Sequence, residues 1–322
     1  MSHILLTGGA GFIGSHLAHA LLARGDSVAV LDNLDPFYDV EIKRRNLAML
    51  EAAGGETFSF REGDIRDAKT CEECVENVDG VIHLAALAGV RPSIEDPVRY
   101  MEVNVAGTQA LLEALRGHPG VPFVFGSSSS VYGGNDKVPF SEDDCVDQPI
   151  SPYAASKKAG ELQCFAWHRL HGNPVSCLRF FTVYGPRQRP EMAIHKFSRQ
   201  ILAGEPLPFF GDGTTRRDYT YVTDIVAGVM AAFDRCDGYK IYNLGGSVTT
   251  TLAELVKLLE RAYGRQAILD RLPEQSGDVK QTFADTSRAA RELDFVSNVS
   301  IEDGIRHFAD WYLAEREAGR VL

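Results

Sequence analysis

The sequence contains no hydrophobic run that reaches the ~18 residues needed to cross a bilayer. Basic residues are also in the minority, with 33 lysines and arginines against 44 aspartates and glutamates and a net charge of −11. Nucleic acids and anionic membranes bind basic surfaces, so we expect neither as a partner. This charge balance still allows a local basic pocket for phosphate groups.

Cysteine is sparse as well, with six residues in 322 and no spacing typical of a disulfide framework. Cys71 and Cys74 form a C-x-x-C pair, but no second Cys or His pair follows at the spacing of a zinc site. We interpret the pair as incidental, in an acidic predicted helix, and predict no metal site. The sequence enters an apolar strand at Ile4 without a signal peptide, so we expect a cytoplasmic protein.

Apolar strands alternate with amphipathic helices through the first half of the chain. The predicted strands are 3–7, 27–31, 57–61, 80–84, 121–126 and 175–180, and the predicted helices are 12–24, 39–52, 67–77, 97–117 and 152–171. This alternation is typical of a parallel sheet with helices on both faces. We therefore predict an α/β fold with a doubly wound parallel sheet of the Rossmann type.

The pattern loosens after residue 180, where Gly and Pro cluster at 185–186, 206–208 and 211–213. Helices are predicted at 222–234, 252–263 and 301–318, with a strand at 240–244. We predict a nucleotide-binding domain over 1–180 and a smaller mixed α/β substrate lobe over 181–322. The segment 222–245 is expected to pack back on the first domain.

A glycine-rich turn follows the first predicted strand. Gly8, Gly11 and Gly14 stand at three-residue spacing before a predicted helix. Such glycines permit a tight turn and let the backbone approach a pyrophosphate at the helix N-terminus, although they also occur in plain strand–helix turns. Asp32 ends the second strand, where a carboxylate accepts ribose hydroxyls and repels a 2′-phosphate. The pattern predicts a dinucleotide site that favours NAD over NADP.

Further cofactor contacts are expected at successive strand ends. Asp64 follows the third strand, within reach of the adenine amine, and small residues after the fourth strand allow close approach to phosphates. We interpret His83, at the end of that strand, as a buried structural residue. The additional predicted cofactor contacts are Phe12, Ile13, Asn33, Asp64, Ile65, Leu84, Ala85 and Ala86.

Tyr153 and Lys157 are four residues apart, which places both on one face of a predicted helix. An ammonium beside a phenol favours the phenolate, so we expect the pKa of Tyr153 to fall toward neutrality. Tyr153 is then a candidate general base for a substrate hydroxyl, and Lys157 can also bind the nicotinamide ribose. An isolated pair of this kind is often only a helix face. The serine run 127–130 after a strand favours the catalytic interpretation.

Together these motifs resemble the extended short-chain dehydrogenase/reductase superfamily, in its nucleotide-sugar epimerase/dehydratase branch. The motifs that carry the resemblance are 7–14, Asp32-Asn33, Gly63-Asp64, Val131-Tyr132-Gly133, Tyr153 to Lys157, Arg179-Phe180-Phe181, Tyr184-Gly185-Pro186 and Arg217-Asp218-Tyr219. The resemblance implies a catalytic triad of Ser128, Tyr153 and Lys157, with Ser129 or Ser130 as alternatives to Ser128. It also implies a homodimer through the helices at 97–117 and 152–171.

The same resemblance bears on the reaction. Members that are 4,6-dehydratases carry Asp-Glu directly after the catalytic Ser or Thr, and UDP-glucuronate decarboxylases carry Glu at the second of these positions. Here Ser129 and Ser130 stand there. A hydroxyl cannot replace a carboxylate as an acid or base near neutral pH. The expected reaction is therefore 4-epimerisation of a UDP-sugar through a 4-keto intermediate.

Several positions resemble the UDP-glucuronate 4-epimerase group: Thr182 where UDP-glucose epimerases usually have Asn, Gln275 where they usually have Arg, and the segments 35–39, 88–93 and 187–193. Arg217 resembles the arginine that pairs with the diphosphate, Phe210 the aromatic that stacks on uracil, and Asp278 the ligand of the uridine ribose. The other predicted substrate contacts are Arg91, Ser93, Ser129, Ser130, Thr182, Arg187 and Arg189.

Alternatives remain open. Arg187 and Arg189 are equally interpretable as solvated loop residues, and Arg217 as a surface residue beside Asp218. Thr282 is small and leaves room for an N-acetyl group, so a 4-epimerase of UDP-glucose or UDP-N-acetylglucosamine is the second candidate. A non-catalytic NAD-binding regulator is a third, which the intact Tyr153 and Lys157 disfavour.

Overall fold

The computed structural model describes residues 1–273 and 279–320. Its strands are β1 (His3–Thr7), β2 (Ser27–Asp32), β3 (Phe58–Glu62), β4 (Gly80–His83), β5 (Phe123–Ser128), β6 (Val175–Phe180), β7 (Thr182–Tyr184), β8 (Pro206–Phe210), β9 (Arg216–Tyr221), β10 (Tyr239–Leu244), β11 (Thr249–Thr251) and β12 (Ile268–Leu272). Its α-helices are α1 (Phe12–Arg24), α2 (Val40–Gly54), α3 (Ala68–Cys74), α4 (Val90–Glu95), α5 (Pro97–Met101), α6 (Gly107–Ala114), α7 (Pro152–His171), α8 (Ala193–Ala203), α9 (Val222–Asp234), α10 (Leu252–Tyr263), α11 (Ser287–Leu293) and α12 (Ile301–Glu317).

Seven strands form the central sheet of the described chain, in the order β10-β6-β5-β4-β1-β2-β3. Every neighbouring pair is parallel, which confirms the predicted doubly wound Rossmann fold. The chain reverses its direction across the sheet between β1 and β4. In open parallel sheets, ligands bind beyond the carboxyl ends of the strands at such a switch point. The candidate site is therefore expected beyond Thr7 and His83.

Successive residues of the central strands pack into two separate hydrophobic cores, one on each face of the sheet. Ile4 and Leu6 of β1 pack into the core beneath α1, α2 and α9, whereas Leu5 packs into the core beneath α3, α6 and α7. Successive side chains of a strand point to opposite faces, so a strand covered on both sides must be apolar at every position. This explains the unbroken apolar runs of the first half of the sequence.

The predicted helix 97–117 is helical throughout but not uniform. It consists of α5, a π-helical segment at Glu102–Ala106, α6 and a 3₁₀ turn at Leu115–Gly117. The prediction for the fifth strand was displaced, because β5 runs two residues further and includes Ser127 and Ser128. These serines therefore belong to the sheet itself.

The second half contributes to two smaller sheets and returns once to the large one. β7 pairs with β9 in parallel, β11 pairs with β9 antiparallel, and β8 pairs with β12. β10 pairs with β6 at the edge of the central sheet, and α9 packs against α1. The strands β7, β8, β9, β11 and β12 and the helices α4, α8 and α11 were not predicted from the sequence, and most of them are too short to show a clear periodicity. Within the described residues, no helix combines the length and apolar character needed to span a membrane.

Candidate active site

The glycine turn after β1 has three distinct geometries. Gly8 has a φ of +73°, and a Cβ there would stand 2.7 Å from the backbone nitrogen of Ala85. A Cβ on Gly14 would stand 2.2 Å from the carbonyl oxygen of Gly8, so α1 packs directly on the turn. Gly11 is extended, with φ −76°, and a Cβ there would meet nothing closer than 3.3 Å. Gly11 also lines the cleft that is described next.

A cleft of about 720 Å³ opens beyond the ends of β1, β2 and β4. Asp32 lies in its wall, where the carboxylate accepts hydrogen bonds from the backbone amides of Ala10 and Leu34. The ammonium of Lys43, on α2, is 3.6 Å from that carboxylate. Lys43 also lies over the ring of Tyr38, 5.2 Å from its centroid. The cleft thus offers a fixed carboxylate with a cation beside it, next to a helix N-terminus.

Most of the predicted cofactor contacts line this cleft: Gly8, Gly11, Phe12, Asp32, Asn33, Ile65, Ala85 and Ala86. Ile13, Gly14, Asp64 and Leu84 are absent from its wall, and the carboxylate of Asp64 pairs with Arg66 and accepts from Asn33. This pairing holds the pKa of Asp64 low, at about 2. His83 is buried between the hydroxyls of Thr7 and Thr108, as a structural residue is expected to be. Burial lowers its pKa to about 3, so its imidazole is neutral at physiological pH.

The predicted catalytic residues converge where α7 crosses the end of β5. The hydroxyl of Ser128 lies close enough to the Tyr153 phenol to stabilise its phenolate, and it bonds to Oγ of Ser130 at 3.1 Å. Lys157 donates from Nζ to the carbonyl oxygen of Gly126, 2.7 Å away, and lies over the ring of Phe125. Ser151 caps α7 by accepting from the amide of Ala154, which fixes the start of the helix two residues before the phenol.

The expected fall of the Tyr153 pKa is not found in this structure. Burial raises the pKa of the phenol, while the hydrogen bond with Ser128 and the positive charge of Arg189 oppose that rise. The physical reason is the direction of Lys157, whose ammonium is bound to the Gly126 carbonyl. Burial also lowers the pKa of Lys157 to about 8. A positive charge delivered with the cofactor would favour the phenolate in the same way as the ammonium was expected to.

A pocket of about 650 Å³ lies beside Ser128. It is lined by Ser129 and Ser130 after β5, Thr182 on β7, Arg217 on β9 and Thr282. Among the described residues, no Asp or Glu side chain lines this pocket. It offers hydroxyl groups and one guanidinium, a donor set suited to an anionic or hydroxylated group rather than to carboxylate acid–base chemistry.

A second cleft, of about 1210 Å³, continues from this pocket on the other side of Arg217. Phe210 lies in its wall, with the guanidinium of Arg91 5.5 Å from the ring centroid. Lys196 on α8 and Lys280 also line it, as does one carboxylate, that of Glu191. An aromatic ring and several cations in one cleft suit a base and a diphosphate. Lys196 and Lys280 were not identified from the sequence, because neither belongs to a motif.

Four predicted substrate contacts lie elsewhere or outside the described residues. Arg189 lines the 720 Å³ cleft, where its guanidinium is 5.7 Å from the Phe37 ring. Arg187, at a φ of +64°, turns away toward α1 and places Nη2 2.7 Å from Nδ1 of His16. Ser93 is buried and donates to the carbonyl of Val90 inside α4. Asp278, like Gln275, lies outside the described residues.

All six cysteines are free, including Cys71 and Cys74. Cys71 is buried and donates to the carbonyl oxygen of Ile65. Across residues 1–273 and 279–320, no group of three or more His, Cys, Asp and Glu side chains could hold a metal ion.

The model of the NAD dependent epimerase/dehydratase family matches residues 4–245. The chain belongs to this family. The match covers every strand of the central sheet, and therefore both the glycine turn and the crossing of α7 over β5.

Relatives in the family align over nearly their full length. The UDP-glucuronate 4-epimerase of Thermodesulfobacterium geofontis is 41% identical over 314 residues, which cover 97% of this chain and 96% of that protein. UDP-glucuronic acid 4-epimerase from Bacillus cereus, crystallised with UDP-glucuronic acid and NAD, has a TM-score of 0.91 at 38% identity, covering 97% and 99% of the two chains. UDP-glucose 4-epimerase from Thermotoga maritima, crystallised with UDP-glucose, has a TM-score of 0.88 at 34% identity, covering 98% and 99%.

The described residues of this family member fit NAD. Gly11 lines the cleft without a side chain that would fill it, which leaves room for a pyrophosphate at the N-terminus of α1, a position where the helix dipole and free amides favour anions. The carboxylate of Asp32 is presented in the same cleft for ribose hydroxyls. Asp35, Phe37, Tyr38 and Lys43 complete the wall. Only the segment 35–39 was noticed in the sequence, whereas Lys43 carried no signal.

Proposed function

We propose that this chain catalyses the NAD-dependent 4-epimerisation of a UDP-sugar, converting UDP-glucuronate to UDP-galacturonate. The observation that carries the proposal is the composition of the 650 Å³ pocket that begins at Ser129, the residue after Ser128. Its described lining offers five hydroxyls and a guanidinium but no carboxylate. Dehydration and decarboxylation in this family use a carboxylate there, whereas epimerisation needs none.

The reaction follows from the residues where α7 crosses β5. Tyr153 removes the proton of the C4 hydroxyl, and Ser128 donates a hydrogen bond to the oxygen that becomes the carbonyl. Lys157 stabilises the phenolate once the cofactor is in place. Bound NAD would supply the hydride chemistry at C4 of the sugar, and the residues that line the 720 Å³ cleft would hold it. Tyr153 then gives the proton back, so no proton is gained or lost over a turnover.

The glucuronate carboxylate suits the hydroxyl end of the pocket. Ser129, Ser130 and Thr182 can each donate to a carboxylate oxygen, and Arg189, in the adjoining cleft, adds a positive charge near Tyr153. The 4-keto intermediate is a β-keto acid, which loses CO₂ only when the breaking C–C bond aligns with the carbonyl π-system. Donors that hold the carboxylate in the plane of the ring oppose that alignment.

The nucleotide is assigned to the 1210 Å³ cleft. Phe210 would stack on uracil, and Arg217, which lines both this cleft and the sugar pocket, would pair with the diphosphate between them. Asp278 would bind the uridine ribose. Arg91 adds a cation to the same cleft. Ser93 and Arg187 were predicted as substrate contacts, and they would contribute only indirectly, by shaping α4 and the 185–189 loop.

The relatives support this choice of sugar. The proteins from Thermodesulfobacterium geofontis and Bacillus cereus are UDP-glucuronate 4-epimerases at 41% and 38% identity. A second candidate is a 4-epimerase of UDP-glucose or UDP-N-acetylglucosamine. It is favoured by the small Thr282 in the sugar pocket and by the likeness to the Thermotoga maritima UDP-glucose 4-epimerase.

The test is incubation of the purified protein with UDP-glucuronate, UDP-glucose and UDP-N-acetylglucosamine in separate reactions, with products identified by ¹H NMR. We expect UDP-galacturonate from the first and slow or no conversion of the others. Conversion of UDP-glucose alone would replace the first choice by the second. Release of CO₂ from UDP-glucuronate would contradict the argument from the pocket, and no turnover of any sugar would favour the non-catalytic regulator.

We also propose that the chain forms a homodimer through α5 and α7. Val98 and Met101 on α5 and Leu162 and Phe165 on α7 are exposed apolar side chains, each pair at i, i+3 spacing along its helix. α5 and α7 lie side by side, so a second copy placing the same helices against them would form a four-helix bundle.

A change in molecular mass tests the dimer. The double variant L162E/F165E should elute as a monomer in size-exclusion chromatography with light scattering, while the wild type elutes as a dimer. Val296→Glu changes an equally exposed apolar residue far from these helices and serves as the control. A monomeric wild type, or a dimer that survives the double variant, would contradict the proposal.

The proposed domain organisation follows the central sheet. Residues 1–180 together with 222–245 would form the NAD-binding unit, and the rest the UDP-sugar-binding lobe. The pairing of β10 with β6 and the packing of α9 on α1 support this division. We place the enzyme in the cytoplasm, a reducing compartment that suits its six free thiols.

A further inference from the structure

Three residues of α7, four positions apart, each contact the end of β5. The Tyr153 phenol lies close to the Ser128 side chain, Lys157 donates to the carbonyl of Gly126 at 2.7 Å, and Glu161 accepts from the hydroxyl of Ser127 at 2.8 Å. Side chains at i, i+4 and i+8 share one face of a helix, so α7 lies along three consecutive residues of the strand. The first two contacts belong to the catalytic group, whereas the third has no role in the proposed reaction.

Glu161 is held in place by a buried ion pair. Its two carboxylate oxygens accept from Nε and Nη2 of Arg179, at 2.8 and 2.9 Å, and the two side chains are 0% and 1% exposed. Lys158 lies 3.2 Å from one of the same oxygens. Each carboxylate oxygen of Glu161 therefore accepts from two donors. The Ser127 hydroxyl is one of these four donors.

Arg179 extends the contact to the turn that carries the pocket serines. Its Nη1 donates to the hydroxyl of Tyr132 at 3.0 Å, and its guanidinium lies over the Tyr132 ring, 4.9 Å from the centroid. Tyr132 closes the 3₁₀ turn Ser129–Tyr132 and donates to Oδ1 of Asn243 on β10. One guanidinium therefore joins α7, the end of β5 and the serine turn.

We propose that Glu161, held by Arg179, is a positioning residue that sets the distance between the Tyr153 phenol, the Ser128 hydroxyl and the serine turn. This inference rests on the proposed function, because it concerns the same reacting groups. A buried ion pair adds little net stability over apolar side chains of similar volume. What the pair supplies here is direction, since a bidentate guanidinium holds a carboxylate in one orientation. Ser127 and Ser128 point to opposite faces of β5, so fixing one orients the other.

The mildest test is Ser127→Ala, which removes the hydrogen bond to Glu161 and leaves the ion pair. We expect kcat to fall by roughly 3- to 10-fold with KM for the UDP-sugar unchanged, because small misplacements of reacting groups slow the chemistry while the nucleotide cleft is intact. Ser176→Ala is the matched control. Ser176 is as buried as Ser127 on the neighbouring strand β6 but contacts neither α7 nor the site, and its variant should retain wild-type kcat.

The decisive test is the double variant E161M/R179M. It removes both charges at similar volume, so that neither Glu161 nor Arg179 is left as an unpaired buried charge. We expect a melting temperature close to that of the wild type and a kcat reduced by roughly 100-fold. A purely structural pair predicts the opposite, a folded double variant with full activity, and that result would overturn the proposal. If the double variant fails to fold, Ser127→Ala decides alone, and its wild-type kcat would overturn the proposal.

A readout that needs no substrate separates this inference from the proposed function. Hydrogen exchange of the amides in 126–132 should accelerate in Ser127→Ala and in the double variant, and stay unchanged in Ser176→Ala. Unchanged exchange in both variants would overturn the inference even if the wild type proves to be an epimerase. Accelerated exchange with a wild type inert on every UDP-sugar would refute the proposed reaction and leave the positioning contact standing.

Discussion

Gly14→Ala tests the packing of α1 on the glycine turn. The added Cβ would stand 2.2 Å from the carbonyl oxygen of Gly8 and 2.8 Å from the Cα of Gly9. Both are backbone atoms, so the clash is not relieved by a rotamer change. Overpacking of this kind costs about 3 kcal/mol, and the better helix propensity of alanine offsets about 1 kcal/mol. We expect a net loss of about 2 kcal/mol, which in a chain of 322 residues lowers the melting temperature by roughly 3 °C.

Gly11→Ala is the matched control, three residues earlier in the same turn. Gly11 has an extended backbone that alanine can adopt, and its Cβ would stand 3.3 Å from the carbonyl oxygen of Gly8, a tight contact that a shift of a few tenths of an ångström relieves. The melting temperature of this variant without added cofactor should fall by less than that of Gly14→Ala. Its methyl group would nevertheless occupy the open side of the cleft, where a pyrophosphate must approach the backbone. We therefore expect NAD affinity to be lost without loss of fold.

The assay is thermal unfolding of both variants with and without added NAD, combined with chromatographic measurement of NAD retained after purification. The expected pattern is opposite for the two: Gly14→Ala loses stability, and Gly11→Ala loses the thermal shift produced by NAD. A Gly11→Ala protein that binds NAD like the wild type would refute the placement of the pyrophosphate. A Gly14→Ala protein as stable as the wild type would refute the packing argument.

Three further outcomes are expected. Tyr153→Phe should lower turnover of UDP-glucuronate by roughly 10³-fold while NAD stays bound, and surviving turnover would remove Tyr153 as the base. Because burial lowers the pKa of Lys157 to about 8, its ammonium is lost above that pH, so kcat/KM should fall on the alkaline side with a midpoint near 8; a flat profile to pH 9.5 would contradict this. Arg217→Ala should weaken UDP binding by roughly 10- to 100-fold in calorimetry, whereas Arg216→Ala, on the exposed alternate face of β9, should not, and equal effects would contradict the assignment.

Much of the fold was predictable because its signals are local. Apolar runs marked the strands buried on both faces. The prediction erred where signals are short or ambiguous. β5 was ended too early because Ser127 and Ser128 are polar, although both are buried in the sheet. The hydroxyl of Ser127 bonds to Glu161, a partner that only the folded chain brings near, and that of Ser128 bonds to Ser130.

The sequence predicted which residues belong to the candidate site better than it predicted where their side chains lie. Arg187 and Arg189 were expected together in the sugar pocket, yet the φ of +64° at Arg187 turns the loop so that one faces His16 and the other the cofactor cleft. Lys43 went unnoticed because a lysine on a helix carries no spacing signal until that helix docks beside Asp32. The direction of a loop side chain depends on backbone angles that composition does not specify.

The sequence by itself determined the α/β class, the glycine turn and the i, i+4 spacing of Tyr153 and Lys157, because each depends on residues close together along the chain. Only the tertiary structure decided which hydroxyls share the sugar pocket. Ser130, Thr182 and Arg217 come from three separate segments and meet because the end of β5 and the starts of β7 and β9 border one pocket. It also decided where the Lys157 charge points, since the carbonyl that accepts from its ammonium, that of Gly126, belongs to a strand 31 residues away along the chain.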